Sequence, residues 1–113
     1  MGDSGHDTDP AFYRSPADAI SAPPEQLACV VVFDRAAQQP DALAVLDTDP
    51  ASAEYGRVAG WADLPTRGDE LHHFGWNACS SAFAHAGHHT GGLQRRYLLI
   101  PGIRSSAIHV YDT

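Results

Sequence analysis

From Leu27 onward the chain is written as short apolar runs separated by polar turns. No stretch past residue 26 carries apolar residues at the three-and-four spacing of an amphipathic helix. The first run, Leu27-Ala28-Cys29-Val30-Val31-Val32-Phe33, lies between Pro23-Pro24 and Asp34-Arg35. β-Branched side chains are stiff about χ1 and fit a pleated surface, so this run predicts a buried strand. After the polar turn 36–41, Leu43-Ala44-Val45-Leu46-Asp47 predicts a second strand. The turn signal Thr48-Asp49-Pro50 and a polar stretch then lead to Gly56-Arg57-Val58-Ala59-Gly60-Trp61, and the two runs together predict a hairpin. Further strands are predicted at Tyr97-Leu98-Leu99-Ile100 and Ile108-His109-Val110-Tyr111, with Pro101-Gly102 and Ser105-Ser106 between them. The fold class is all-β.

Residues 1–26 read differently. Gly2, Gly5, Pro10, Pro16, Pro23 and Pro24 stand among acidic and small residues, which predicts an irregular N-terminal arm. Within it Ser15 is placed to cap a short helix with Pro16 at its first position, where the missing N–H costs nothing. Pro23-Pro24 stops that helix.

Leu43 to Thr48 and Ile108 to Thr113 share the pattern apolar, any, Val, apolar, Asp, Thr, at an offset of 65 residues. Repeats of about 40–50 residues, each with several strands, mark propeller blades. The Gly-, His- and Ser-rich stretch 66–92 reads as a loop insertion that lengthens one unit. Residues 27–113 are thus expected to be the first blade region of a β-propeller, incomplete and breaking off at the start of the next repeat. A blade cannot bury both faces alone, so the remaining propeller blades are required partners. The competing expectation is a small complete sandwich that reuses one strand ending.

Composition narrows the partners. A hydrophobic fraction of 43%, with four Tyr, four Phe and two Trp, predicts a packed chain. Fourteen acidic residues face seven basic ones, giving a net charge of −7. Only Arg95 and Arg96 adjoin, which excludes the clustered cations that a nucleic acid partner needs. No stretch reaches the roughly 20 apolar residues of a membrane span, and the first residues lack a secretory signal pattern. The expected location is cytoplasmic. Cys29 and Cys79 are too few for a disulfide framework, so reduced thiols are expected.

The chemistry gathers in Gly68-Asp69-Glu70-Leu71-His72-His73-Phe74-Gly75-Trp76-Asn77-Ala78-Cys79-Ser80-Ser81. Neutral imidazoles are donors for zinc, copper, iron and nickel, which makes His72 and His73 candidate metal ligands. Adjacent strand residues point to opposite faces, so the pair can share one ion only where the backbone is bulged or turned. Gly75 allows that. Such ions take three or four donors, so other blades would supply the rest. The bland alternative pairs one His with Asp69 or Glu70 and leaves the other solvated. Cys79 is the candidate thiol, as a metal ligand or nucleophile, against the commoner case of an inert buried Cys. Cys29 is expected in the core, and Trp61 and Trp76 are expected to pack. His85, His88 and His89 lie among Gly, Ala and Thr and read as a solvated loop.

These residues closely resemble the N-terminal part of the selenium-binding protein and methanethiol oxidase family, from about Tyr13 to Thr113. The likeness is carried by Asp69 to Ser81, by Leu43 to Val58 before it and by Tyr97 to Thr113 after it. The resemblance implies a β-propeller several times longer than this chain. It also implies a copper-dependent oxidation of methanethiol, a small thiol substrate, by O₂ and water to formaldehyde, hydrogen sulfide and hydrogen peroxide, with His72 and His73 among the copper ligands. Animal relatives carry a selenium-linked Cys where this chain has Gly56 and a second motif Cys where it has Ala82, which weighs against selenium binding and leaves Cys79 as the candidate thiol. The rival expectations are a non-catalytic selenium-binding or protein-interaction module and an inactive truncated product.

Overall fold

The computed structural model describes residues 13, 15–77 and 95–113. Cys79, His85, His88 and His89, with most of the arm before Ser15, lie outside the described residues. The described chain forms one short helix and two antiparallel three-stranded sheets.

Helix α1 (Pro16–Ser21) follows the expected chemistry. Ser15 is extended at φ −151°, and its Oγ accepts from the Asp18 N–H at 3.1 Å, satisfying a donor that the first turn leaves free. The helix ends before Pro23-Pro24 and buries no residue.

Strands β1 (Leu27–Val32), β2 (Pro40–Asp47) and β3 (Val58–Arg67) form the first sheet with β2 in the middle. Leu27 pairs with Asp47, Val31 with Leu43, and Leu43 with Ala62. The hairpin read from the sequence is β2–β3. Its second strand runs on to Arg67, into the stretch read as a loop insertion. The second sheet takes β4 (Gly75–Trp76), β5 (Tyr97–Pro101) and β6 (Ile108–Asp112) in that order. Two-residue β4, which pairs with Leu98 and Leu99, is too short to leave a period in the sequence.

The sheets meet through Leu43, Leu64, Leu71, Leu98 and Ile100, with Cys29, Val31, Trp76 and Tyr111 packed around them. Each such side chain contributes about 1.5–3 kcal/mol when fully buried. The Tyr111 hydroxyl donates to the Ala62 carbonyl at 3.1 Å and ties β6 to β3.

The sequence repeat has a structural counterpart. Leu27 faces Asp47 as Tyr97 faces Asp112. The Thr48 N–H donates to Gln26 O at 2.9 Å, and the Thr113 N–H to Arg96 O at 3.0 Å. The pairs β1–β2 and β5–β6 are therefore closed in the same way.

Both sheets are apolar on the faces turned away from each other. Val30, Ala44 and Trp61 stand in one row across the first sheet. Leu99 and Val110 face each other across the second, with Ile108 beside them. Trp61 is 55% exposed, Val110 61% and Ile108 69%. Trp61 thus corrects its expected packing role: β3 alternation turns it outward, where its indole N–H donates to Asp63 at 2.7 Å. Cys29 and Trp76 pack as expected.

Candidate metal centre

The candidate segment begins where β3 ends. Gly68, at φ +74°, and Glu70, at φ +56°, turn the chain in the left-handed region, which a non-glycine residue adopts only at a cost. Asp69 between them is 2% exposed. Its carboxylate accepts from the Thr66 hydroxyl at 2.6 Å and meets His109 Nε2 at 3.1 Å. Its carbonyl accepts the Arg104 N–H at 3.1 Å, and the Glu70 carbonyl accepts the Ile103 N–H at 3.0 Å. Arg104 also reaches the Glu70 carboxylate at 3.4 Å. The left-handed kink is thus held from the turn between β5 and β6.

That turn has no spare room. A Cβ added at Gly102 would stand 2.5 Å from Ser105 Oγ and 2.7 Å from the Asp69 carbonyl oxygen. In the full-length protein Gly102→Ala is expected to cost about 1–3 kcal/mol, read as a lowered urea midpoint, because the closer obstacle on the Asp69 side is backbone. An unchanged midpoint would show that the turn relaxes freely.

The Thr66 hydroxyl, above all, holds the Asp69 carboxyl below the usual carboxylate range; burial opposes this, and Ser105 and His109 add to it. A carboxylate with a depressed folded pKa stabilises the fold above its unfolded value of about 3.9, and this is lost as pH falls through the folded value. Thr66→Val, which removes the largest lowering contact, is expected to flatten the fall of unfolding free energy between about pH 5 and pH 3. Identical slopes in urea titrations of the full-length protein and its Thr66→Val variant would contradict this.

Beyond Glu70, Leu71 drops into the core and forms an isolated bridge with Gly102. Its N–H donates to Asp41 Oδ2 at 3.0 Å, and the next N–H, of His72, donates to Pro101 O at 3.3 Å. Residues 72–74 then have no regular structure until β4 begins at Gly75. The backbone is thus irregular where a shared ion would need it to be. His72 and His73 stay on one side, exposed, with Nδ1 atoms 2.6 Å apart and ring centroids 4.3 Å apart at an interplanar angle of 52°.

Two nitrogens this close hold one proton between them or direct both lone pairs at one cation. Neutral imidazoles suit copper, nickel, zinc and iron alike, so the chemistry of His72 and His73 fits such an ion without choosing among these metals. Among the described residues no third His, Cys, Asp or Glu joins them. His109 is engaged by Asp69 instead.

The sequence reading missed Asp41, Thr66 and His109 as supports of this segment. The only signal for Asp41 was an acid directly before an apolar run.

The chain is 41% identical over 103 residues to selenium-binding protein 1 of Arabidopsis thaliana, covering 89% of this chain and 20% of that protein. It is 37% identical over 102 residues to methanethiol oxidase of Mus musculus, covering 88% of this chain and 21% of that protein. The chain thus spans about a fifth of the length of the curated relatives it matches. The X-ray structure of a hypothetical selenium-binding protein from Sulfolobus tokodaii superposes with a TM-score of 0.84 at 45% identity, over 94% of this chain and 23% of the other. With residues 6–113 also matching the family described as 56kDa selenium binding protein (SBP56), the chain belongs to that family.

Proposed function

We propose that this chain is the opening part of a copper-dependent methanethiol oxidase with a β-propeller fold, and that His72 and His73 supply two of its copper donors. The observation that carries the reading is the convergence of the two Nδ1 atoms at 2.6 Å in a chain with a relative named methanethiol oxidase. The propeller is supported by the repeat of strand pairing and by sheets that are apolar on both faces, as blades between neighbours are. The remaining blades bring the remaining donors. No helix of the described residues is long and apolar enough to cross a membrane; a cytoplasmic location belongs to the same reading.

The overall reaction joins methanethiol, O₂ and water and yields formaldehyde, hydrogen sulfide and hydrogen peroxide. Copper, when bound, supplies a centre that takes a soft sulfur ligand and exchanges electrons with O₂. The part played by this chain is narrower. His72 and His73 present two ring nitrogens on one side of the backbone and would hold the ion there. Cys79 stands six residues beyond His73 as the candidate thiol.

A second reading, a selenium-binding module without catalysis, is favoured by the name of the Arabidopsis thaliana relative. Against it, Gly56 turns between β2 and β3 at φ +78° and offers no thiol. Copper analysis of the full-length protein with a methanethiol assay separates the two. Copper with equal yields of hydrogen sulfide and hydrogen peroxide supports the oxidase; neither product from a copper-loaded protein refutes it.

A further inference from the structure

We propose that Asp41 is a positioning residue for the His72–His73 pair, a role that rests on the metal-binding reading above. Asp41 lies on β2, the central strand of the first sheet, at a register shift between Pro40 and Ala42. A bulge of this kind re-aims a side chain out of the regular alternation. The carboxylate is 1% exposed, a location that is costly for a charge unless its oxygens accept hydrogen bonds. Both do. Oδ1 accepts the Asp34 N–H at 3.1 Å, and Oδ2 accepts the Leu71 N–H, 30 residues away, at 3.0 Å.

The second bond lies one residue before the pair. The Leu71 N–H is held by the first sheet through Asp41, and the His72 N–H is held by the end of β5 through Pro101. Two successive amides clamped from different sheets fix the direction in which the chain leaves Glu70. That direction decides whether the next two imidazoles share a side. The flanking bonds of Glu70 and His72 tie this stretch to the second sheet, and the Asp41 bond is the tie to the first.

Only a carboxylate serves both donors. Asparagine has one acceptor oxygen and would set its NH₂ group against one of the two N–H groups. Asp41→Asn therefore keeps the volume and breaks one side of the clamp.

The test uses the full-length protein titrated with copper(II) alone and followed by electron paramagnetic resonance, for the unaltered protein, Asp41→Asn, His72→Ala and His73→Ala. Asp41→Asn is expected to remain folded by circular dichroism, to bind copper(II) about 10–100-fold more weakly and to show altered hyperfine splitting, as loss of a supporting contact does. Both His variants are expected to lose the signal. Unaltered affinity and splitting in Asp41→Asn, with the signal lost in the His variants, overturns the positioning role and leaves metal binding intact. An unaltered signal in both His variants overturns the metal reading and the role of Asp41 with it. If Asp41→Asn does not fold, amide exchange in the unaltered protein decides. Protection of the Leu71 amide supports the clamp, and exchange at the rate of an exposed amide overturns it.

Discussion

Replacing His72 or His73 with alanine is expected to lower bound copper and thiol oxidation together in the full-length protein while leaving its folding unchanged. In the proposed copper site the two imidazoles are neighbouring donors, so losing either would remove a bond and the pre-arranged closeness of the other. The expected fall in copper affinity exceeds the 10–100-fold range typical of a lost supporting contact. Both side chains are exposed, and the cluster of Leu43, Leu64, Leu71, Leu98 and Ile100 does not include them. Surface substitutions of this kind change stability by no more than about 0.5 kcal/mol. Copper-to-protein ratios after desalting, hydrogen sulfide release and a urea midpoint measured on the same samples separate a lost ligand from a lost fold. Unchanged copper stoichiometry in both variants would sink the assignment.

The 113-residue chain expressed by itself is expected to self-associate or to be partly unfolded. Among the described residues fully buried apolar side chains are few, and the two sheets carry Val30 and Trp61, and Leu99, Val110 and Ile108, on outward faces. Apolar surface of this kind is covered in a stable protein or recruits other chains. Strands β1, β3, β4 and β6 are sheet edges within the described residues, and open edges template pairing with further chains. Light scattering with size-exclusion chromatography should show a polydisperse sample, and heating should give a broad transition. A monodisperse monomer that melts cooperatively would contradict the need for neighbouring blades.

The strands were legible because their signal is local. Leu27 to Val32 announces itself by β-branched residues, and Tyr97 to Ile100 by a short apolar run; which of the latter are buried, Leu98 and Ile100, only the structure shows. Strand β4 was not legible, since a two-residue pairing is set by where Leu98 and Leu99 lie. The candidate ligands were legible by residue type, but their closeness was not. It depends on a left-handed Glu70, on Asp69 anchored to Thr66 and His109, and on Asp41, each held by residues distant in sequence. Asp41 reads as a solvated turn residue beside Pro40 because its partner Leu71 belongs to another part of the chain. Trp61 shows the same limit from the other side. Its type suggests burial, while its position in β3 decides for the outward face.

Copper K-edge X-ray absorption on the copper-loaded full-length protein tests the His72–His73 centre most directly. The unaltered protein is expected to show imidazole nitrogens at about 2.0 Å from copper. The double variant His72→Ala/His73→Ala is expected to lose two of them or to hold no copper. An absorption spectrum that is the same in both proteins would contradict the assignment of the pair.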